Sequence, residues 1–227
     1  MKFYDDLVKQ TENSRQSFLS LPILKDALDN GVPVDLYVAY LEQAYHHVKH
    51  TCNLLALAAS RCGPDDQKYQ NALFEYINEE KGHDLWILED IAALGGDSKR
   101  VAANGPGIPC AAMIGYAYYA IEHISPYCLL GMVHVLEGMS VALAQVAATS
   151  IAGSLERTVD GGGFQYLTSH GALDQDHVAF FEELVNGISD PGYQRDIIAT
   201  TLVMYELFGG IFSELGKPAS SEVSHAA

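Results

Sequence analysis

Basic residues are scarce: 13 Lys and Arg stand against 29 Asp and Glu in 227 residues, a formal net charge of −16. Binding a nucleic-acid backbone or an anionic membrane means neutralising phosphates with Lys and Arg, and the few here are scattered without a run, so neither is an expected partner. Cysteine is also sparse. Cys52, Cys62, Cys110 and Cys128 form no CxxC pair, which excludes a zinc ribbon or a thioredoxin motif and reads as free thiols in a reducing cytoplasm. The N-terminal MKFYDDLVKQTENSRQ lacks the continuous apolar run of a secretory leader, so no export is expected. Long uninterrupted apolar runs are missing too. Residues 101–121 are broken by Gly105, Pro106, Gly107 and Pro109, and residues 138–155 carry Ser140, Gln145, Thr149 and Ser150. Both read as buried core helices and not as membrane spans of roughly 20 apolar residues. Strand patterns and fixed-period repeats are absent as well.

What remains is a chain that is 48% hydrophobic, enough to bury a sizeable core, with helix signals throughout. Pro33 opens a segment to about residue 61, in which Leu41, Tyr45, Val48, Cys52 and Leu55 recur at helical spacing. A second segment starts after a cap at Asp65 or Asp66 and stops at Gly95-Gly96. A Gly/Pro-rich link at residues 104–109 precedes a helix to about His123; across Ser125-Pro126 another runs to about Ile151. Residues 160–163 mark a loop, residues 173–188 and 191–215 read as two more helices, and one or two lie between Phe3 and Gly31. The total is seven to nine helices in one all-α, bundle-like domain over residues 1–216, with residues 217–227 as a small, polar, frayed tail.

Candidate chemistry begins with Glu137. From His123 through Leu155 it is the only Asp, Glu, Lys or Arg, on a stripe with Leu130, Val133, Val141 and Ala144. A carboxylate there loses hydration worth several kcal/mol (~2–7) unless a cation or proton compensates it. The compensation is either a metal or an Arg or Tyr from another helix. Glu80 and His83 stand at i, i+3 in NEEKGHDLW, projecting from one side of a helix; Glu-x-x-His is a spacing by which bundles hold paired metal ions, or else a solvated Glu beside a surface His. His170, Asp174 and His177 occur at i, i+4, i+7, and imidazole with carboxylate suits iron, manganese or zinc. Their plain alternative is N-terminal capping by Asp174 and Asp176 beside two surface histidines. On the first long helix, Glu42 and His46 share a polar stripe with Asp35, Lys49 and Asn53, whereas His47 shares an inward one with Tyr40, Ala44, Thr51, Leu54 and Ala58. His47 is a metal ligand, a donor behind the ligands, or a satisfied core histidine.

Taken together, VAYLEQAYHHVKHT, EEKGHDLWILEDIAALG, the lone Glu137 and His170-x3-Asp174-x2-His177 resemble the haem-oxygenase-like diiron oxidases, also called iron-containing redox enzymes. The resemblance spans most of the chain and implies a haem-oxygenase-like multi-helical bundle. It implies that Glu80, His83, Glu137, His170, Asp174 and His177 ligate two irons, with O2 as co-substrate and a small organic or lipid-like substrate; a homodimer is the implied assembly. Members commonly carry a Glu on the first long helix, and the best-fitting position here is within a turn of His47; Tyr76 stands seven before His83, where some relatives have a liganding Glu. Thiaminase-II and pyrroloquinoline quinone synthase share the fold without diiron, and the former would need a nucleophilic Cys, for which none of the four is a convincing counterpart. Three functions follow: a diiron oxidase with Glu137 bridging the metals, a cofactor-independent acid/base enzyme acting on a small heterocycle, and a metal-free binding module. Tyr76, Trp86, Tyr116 and Tyr119 are candidate lining residues of a substrate cavity.

Overall fold

In a computed structural model, residues 2–217 are described, except for the side chains of residues 170–177; the expected tail at 217–227 lies outside them apart from its first residue. Among the described residues there are eleven α-helices, three short 3-10 turns and no strand. The helices are α1 (Phe3–Leu19), α2 (Pro22–Asn30), α3 (Val34–Val48), α4 (Thr51–Ser60), α5 (Gln67–Glu80), α6 (His83–Ala93), α7 (Ser98–Ala103), α8 (Ile108–His123), α9 (Leu129–Ser154), α10 (Gln165–Asn186) and α11 (Pro191–Leu215).

The number exceeds the expected seven to nine because two expected helices are each divided and α7 is added. The first division falls at Lys49-His50, between α3 and α4. The second falls at Lys81-Gly82: Lys81 is extended, and Gly82 takes a left-handed φ of 95°, which a glycine adopts at little cost. Periodicity cannot reveal either joint, since the apolar stripe continues across both. Helix α10 also starts earlier than expected, at Gln165 and not near residue 173.

Helix α9 is the central strut, packed on α10, α11 and α2. Its approach to α11 is close at Gly131, where a Cβ would lie 2.8 Å from Thr200 Cβ and from the Thr201 nitrogen. Two apolar clusters form the core. One gathers Leu7, Leu54, Leu73, Met113, Val135 and Ile197; the other gathers Tyr37, Leu41, Ile87, Ile91, Ala148 and Phe164. The segment Pro126–Ser154 and helix α11 are long and apolar enough to cross a membrane by length and composition, and half of the most apolar window of the first is buried in the bundle.

Candidate active site

A cavity of ≈ 190 Å³ opens where the two apolar clusters meet, walled by Leu54 and Met132 from one and Tyr37 and Ile151 from the other. Its acidic and imidazole side chains are His47 from α3, Glu80 from α5 and Glu137 from α9, and Tyr76 of α5 joins them. The residues of α9 that line it extend from Leu129 to Ile151; at 1.5 Å per residue that is about 33 Å of helix. The cavity is therefore long, nearly all aliphatic and aromatic, with its acid groups gathered on α5 and the middle of α9.

Burial of those groups is deep. His47 is 4% exposed and Tyr76 1%, and the atoms His47 Nδ1, Tyr76 Oη and Glu137 Oε2 are shut off from solvent. The inward stripe is as the sequence indicates, though it spans two helices: Ala44 and His47 of α3 and Leu54 and Ala58 of α4 are buried, and the His47 ring meets Phe208 edge-on at 6.2 Å. Val141 departs from the inward stripe expected of Glu137, being exposed.

Glu80 and His83 meet, but not from one helix. Glu80 closes α5 and His83 opens α6, and the turn through Gly82 brings Glu80 Oε2 to 3.1 Å from His83 Nδ1. Both side chains are nearly buried, and Trp86 stacks on the imidazole at 4.1 Å between ring centres. A solvated Glu beside a surface His is therefore not what forms.

Glu42 is turned away: its Oε1 pairs with the Arg100 guanidinium of α7. His46 corrects the polar-face expectation in part, since it is only 2% exposed, with Nδ1 3.2 Å from Lys49 Nζ and its ring against Tyr45. Burial, then the charge of Lys49, lowers its pKa. Of the four candidate aromatics, Tyr76 lines the cavity, Trp86 backs His83, Tyr119 is exposed against His123, and Tyr116 packs partly buried on the first core cluster without lining the cavity. The side chains of His170, Asp174 and His177 lie outside the described residues. Helix α10 runs through all three positions and begins well before them, so Asp174 and Asp176 do not occupy its N-terminus.

That N-terminus is held by a residue that sequence reasoning missed. Asp90, on α6 and 2% exposed, accepts hydrogen bonds from the backbone N–H of Gln165 at 2.9 Å and of Tyr166 at 2.8 Å. These are two of the donors that a helix start leaves open. Burial raises the Asp90 pKa, and the N–H bonds partly offset this. The available signal was its place seven residues after His83, an acid on the inward stripe of Ile87 and Ile91. One helix thus carries His83 and also fixes the helix bearing His170, Asp174 and His177.

Among the described residues, no group of three or more His, Cys, Asp or Glu stands together as a ready ligand set. The donor chemistry nonetheless fits iron: two carboxylates and one imidazole line one apolar cavity, a second imidazole, His83, meets Glu80, and these are ligand types that suit it. None of the four cysteines lines that cavity, and burial raises the thiol pKa of each.

A family model described as iron-containing redox enzyme matches residues 38–209. Among solved structures, a Shewanella denitrificans domain of unknown function with a heme oxygenase-like fold is 22% identical, with a TM-score of 0.84, over 93% of this chain and 91% of that one. A TenA homologue from Pseudomonas syringae is 12% identical, with a TM-score of 0.79, over 94% and 92%. Heme oxygenase from Leptospira interrogans is 16% identical, with a TM-score of 0.73, over 94% and 100%. These likenesses establish a haem-oxygenase-like fold. No curated protein matches.

Proposed function

Since the chain belongs to the iron-containing redox enzyme family, we propose that it is a non-haem diiron oxidase acting on a small, largely apolar organic or lipid-like substrate. The observation that carries this reading is the gathering of His47, Glu80 and Glu137 around one apolar cavity, with His83 in contact with Glu80. In this reading Glu80, His83, Glu137, His170, Asp174 and His177 would hold two irons, with His47 as a further ligand. Bound iron would supply the reduction of O2 and the oxidation of substrate.

The protein's own contribution is physical. The aliphatic walls take apolar substrate out of water and raise the strength of every charge interaction at the centre. Trp86 and Glu80 fix the His83 ring, and Asp90 anchors α10. A cofactor-independent enzyme like the TenA homologues is the competing reading on this fold, and a thiol-dependent version of it is disfavoured by the position of the four cysteines.

Anaerobic loading with Fe(II), read by metal analysis, tests the proposal. Between one and two irons per chain are expected, with a raised melting temperature from binding to the folded state, and fewer irons in His177→Ala. Protein that stays iron-free at saturating Fe(II), with an unchanged melting temperature, defeats the diiron reading and leaves the cofactor-independent one.

A further inference from the structure

A second cavity, of ≈ 400 Å³, lies on another face of α9 and shares Val133, Glu137 and Met139 with the first. Its far wall is α1, which contributes Tyr4, Thr11 and Arg15; α9 adds His134, α10 adds Phe181 and α11 adds Tyr205. Nothing in the oxidase reading uses these groups. Tyr205 is 3% exposed, with its ring against that of Phe18.

The polar lining is rich in donors. Arg15 is a permanent cation, and burial pushes the Tyr205 hydroxyl up to about 12 and raises that of Tyr4, so both stay protonated and able to donate. Burial, reinforced by Arg15, pulls His134 down to about 4, leaving a neutral ring with one N–H. Thr11 donates its hydroxyl to the Leu7 carbonyl. Arg15 has one acidic neighbour, Glu12 Oε1 at 3.6 Å, in a partly exposed pair one turn along α1 that solvent screens. Apolar surface supplies the rest: the Phe181 ring lies against Tyr4 and His134, with centroid separations of 6.2 and 5.7 Å. Arg15 comes from α1 and Glu137 from α9, so a ligand's anionic end is driven toward α1 and its carbon skeleton toward α9.

We propose that this second cavity is a binding site for a small monocarboxylate, its carboxylate held by Arg15 and Tyr205 and its ring or alkyl body packed on Phe181 and His134, against the far side of Glu137. The site does not depend on bound metal. Calorimetric titration of the full chain in the presence of a chelator, with benzoate and its neutral isostere benzamide, tests it without reference to the iron reading. Benzoate should bind about tenfold or more tightly than benzamide, the scale of a charge-assisted pair. Arg15→Gln should abolish that preference, and Tyr205→Phe should weaken benzoate several-fold while leaving benzamide nearly unchanged. The melting temperature of each variant checks that it is folded. Equal binding of the two probes, no binding of benzoate, or a preference that survives Arg15→Gln overturns the proposal.

Discussion

Replacing Asp90 tests how the helix carrying three of the seven proposed ligands is held. In Asp90→Ala the N–H groups of Gln165 and Tyr166, now bonded at 2.9 and 2.8 Å, lose their acceptors at a site from which water is nearly excluded. A lost cap costs about 0.5–2 kcal/mol and a buried unsatisfied donor about 1–3, so a loss of roughly 2–3 kcal/mol is expected. For a chain of this size that lowers the melting temperature by about 5–10 °C. Asp90→Asn keeps one carbonyl acceptor and should lose about half as much. The pH dependence has a definite sign. The folded carboxyl pKa is raised above 3.8, so its contribution is full below the unfolded value and declines as pH rises through the folded one. The gap between wild type and Asp90→Asn should therefore be widest near about pH 4 and narrow toward neutrality. Melting curves followed by circular dichroism at acidic and neutral pH measure this, and amide exchange at Gln165 and Tyr166 localises it. An Asp90→Ala protein within about 0.5 kcal/mol of wild type, with those two amides still protected, would refute the cap as a structural anchor.

Gly82→Ala puts a side chain at φ 95° with open space around its Cβ, so the cost is backbone strain alone, about 1–2 kcal/mol; fluorescence of Trp86, stacked on His83, should shift as the joint is strained. His47→Ala should lower iron stoichiometry toward one, whereas Glu42→Ala, which removes only the pair with Arg100, should leave it unchanged; metal analysis of both variants decides, and the reverse pattern would exclude His47. Glu137→Gln keeps side-chain size but removes the charge, and should abolish oxygen uptake by Fe(II)-loaded protein on an oxygen electrode while the iron-free form melts at or above the wild-type temperature; a large fall in that melting temperature would instead mark Glu137 as structurally paired.

The family's fold was legible because long apolar stripes at helical spacing leave little alternative. The inward placement of His47 and Tyr76 and the contact of Glu80 with His83 could be read because each depends on neighbours within one or two turns. Where reasoning failed, the cause was tertiary. Nothing in the spacing of Glu80-Lys-Gly-His83 distinguishes a continuous helix from one broken at a left-handed glycine. The burial of His46 follows from what packs over α3, and the partnership of Asp90 with residues 165 and 166 joins segments 75 and more positions apart. The second cavity was equally hidden, because its walls come from four helices that no local pattern connects.

The break at Gly82 also bears on how such a chain can change over generations. Within an unbroken helix, inserting or deleting one residue rotates everything beyond it by about 100°, which would turn one partner away from the other. With Glu80 ending one helix and His83 starting the next, a slip of register upstream is absorbed at the joint. His83, Trp86 and Asp90, on a single short helix, keep their mutual phase, and the block that orients α10 travels intact. The joint is thus a place where length variation can accumulate without erasing the arrangement on either side.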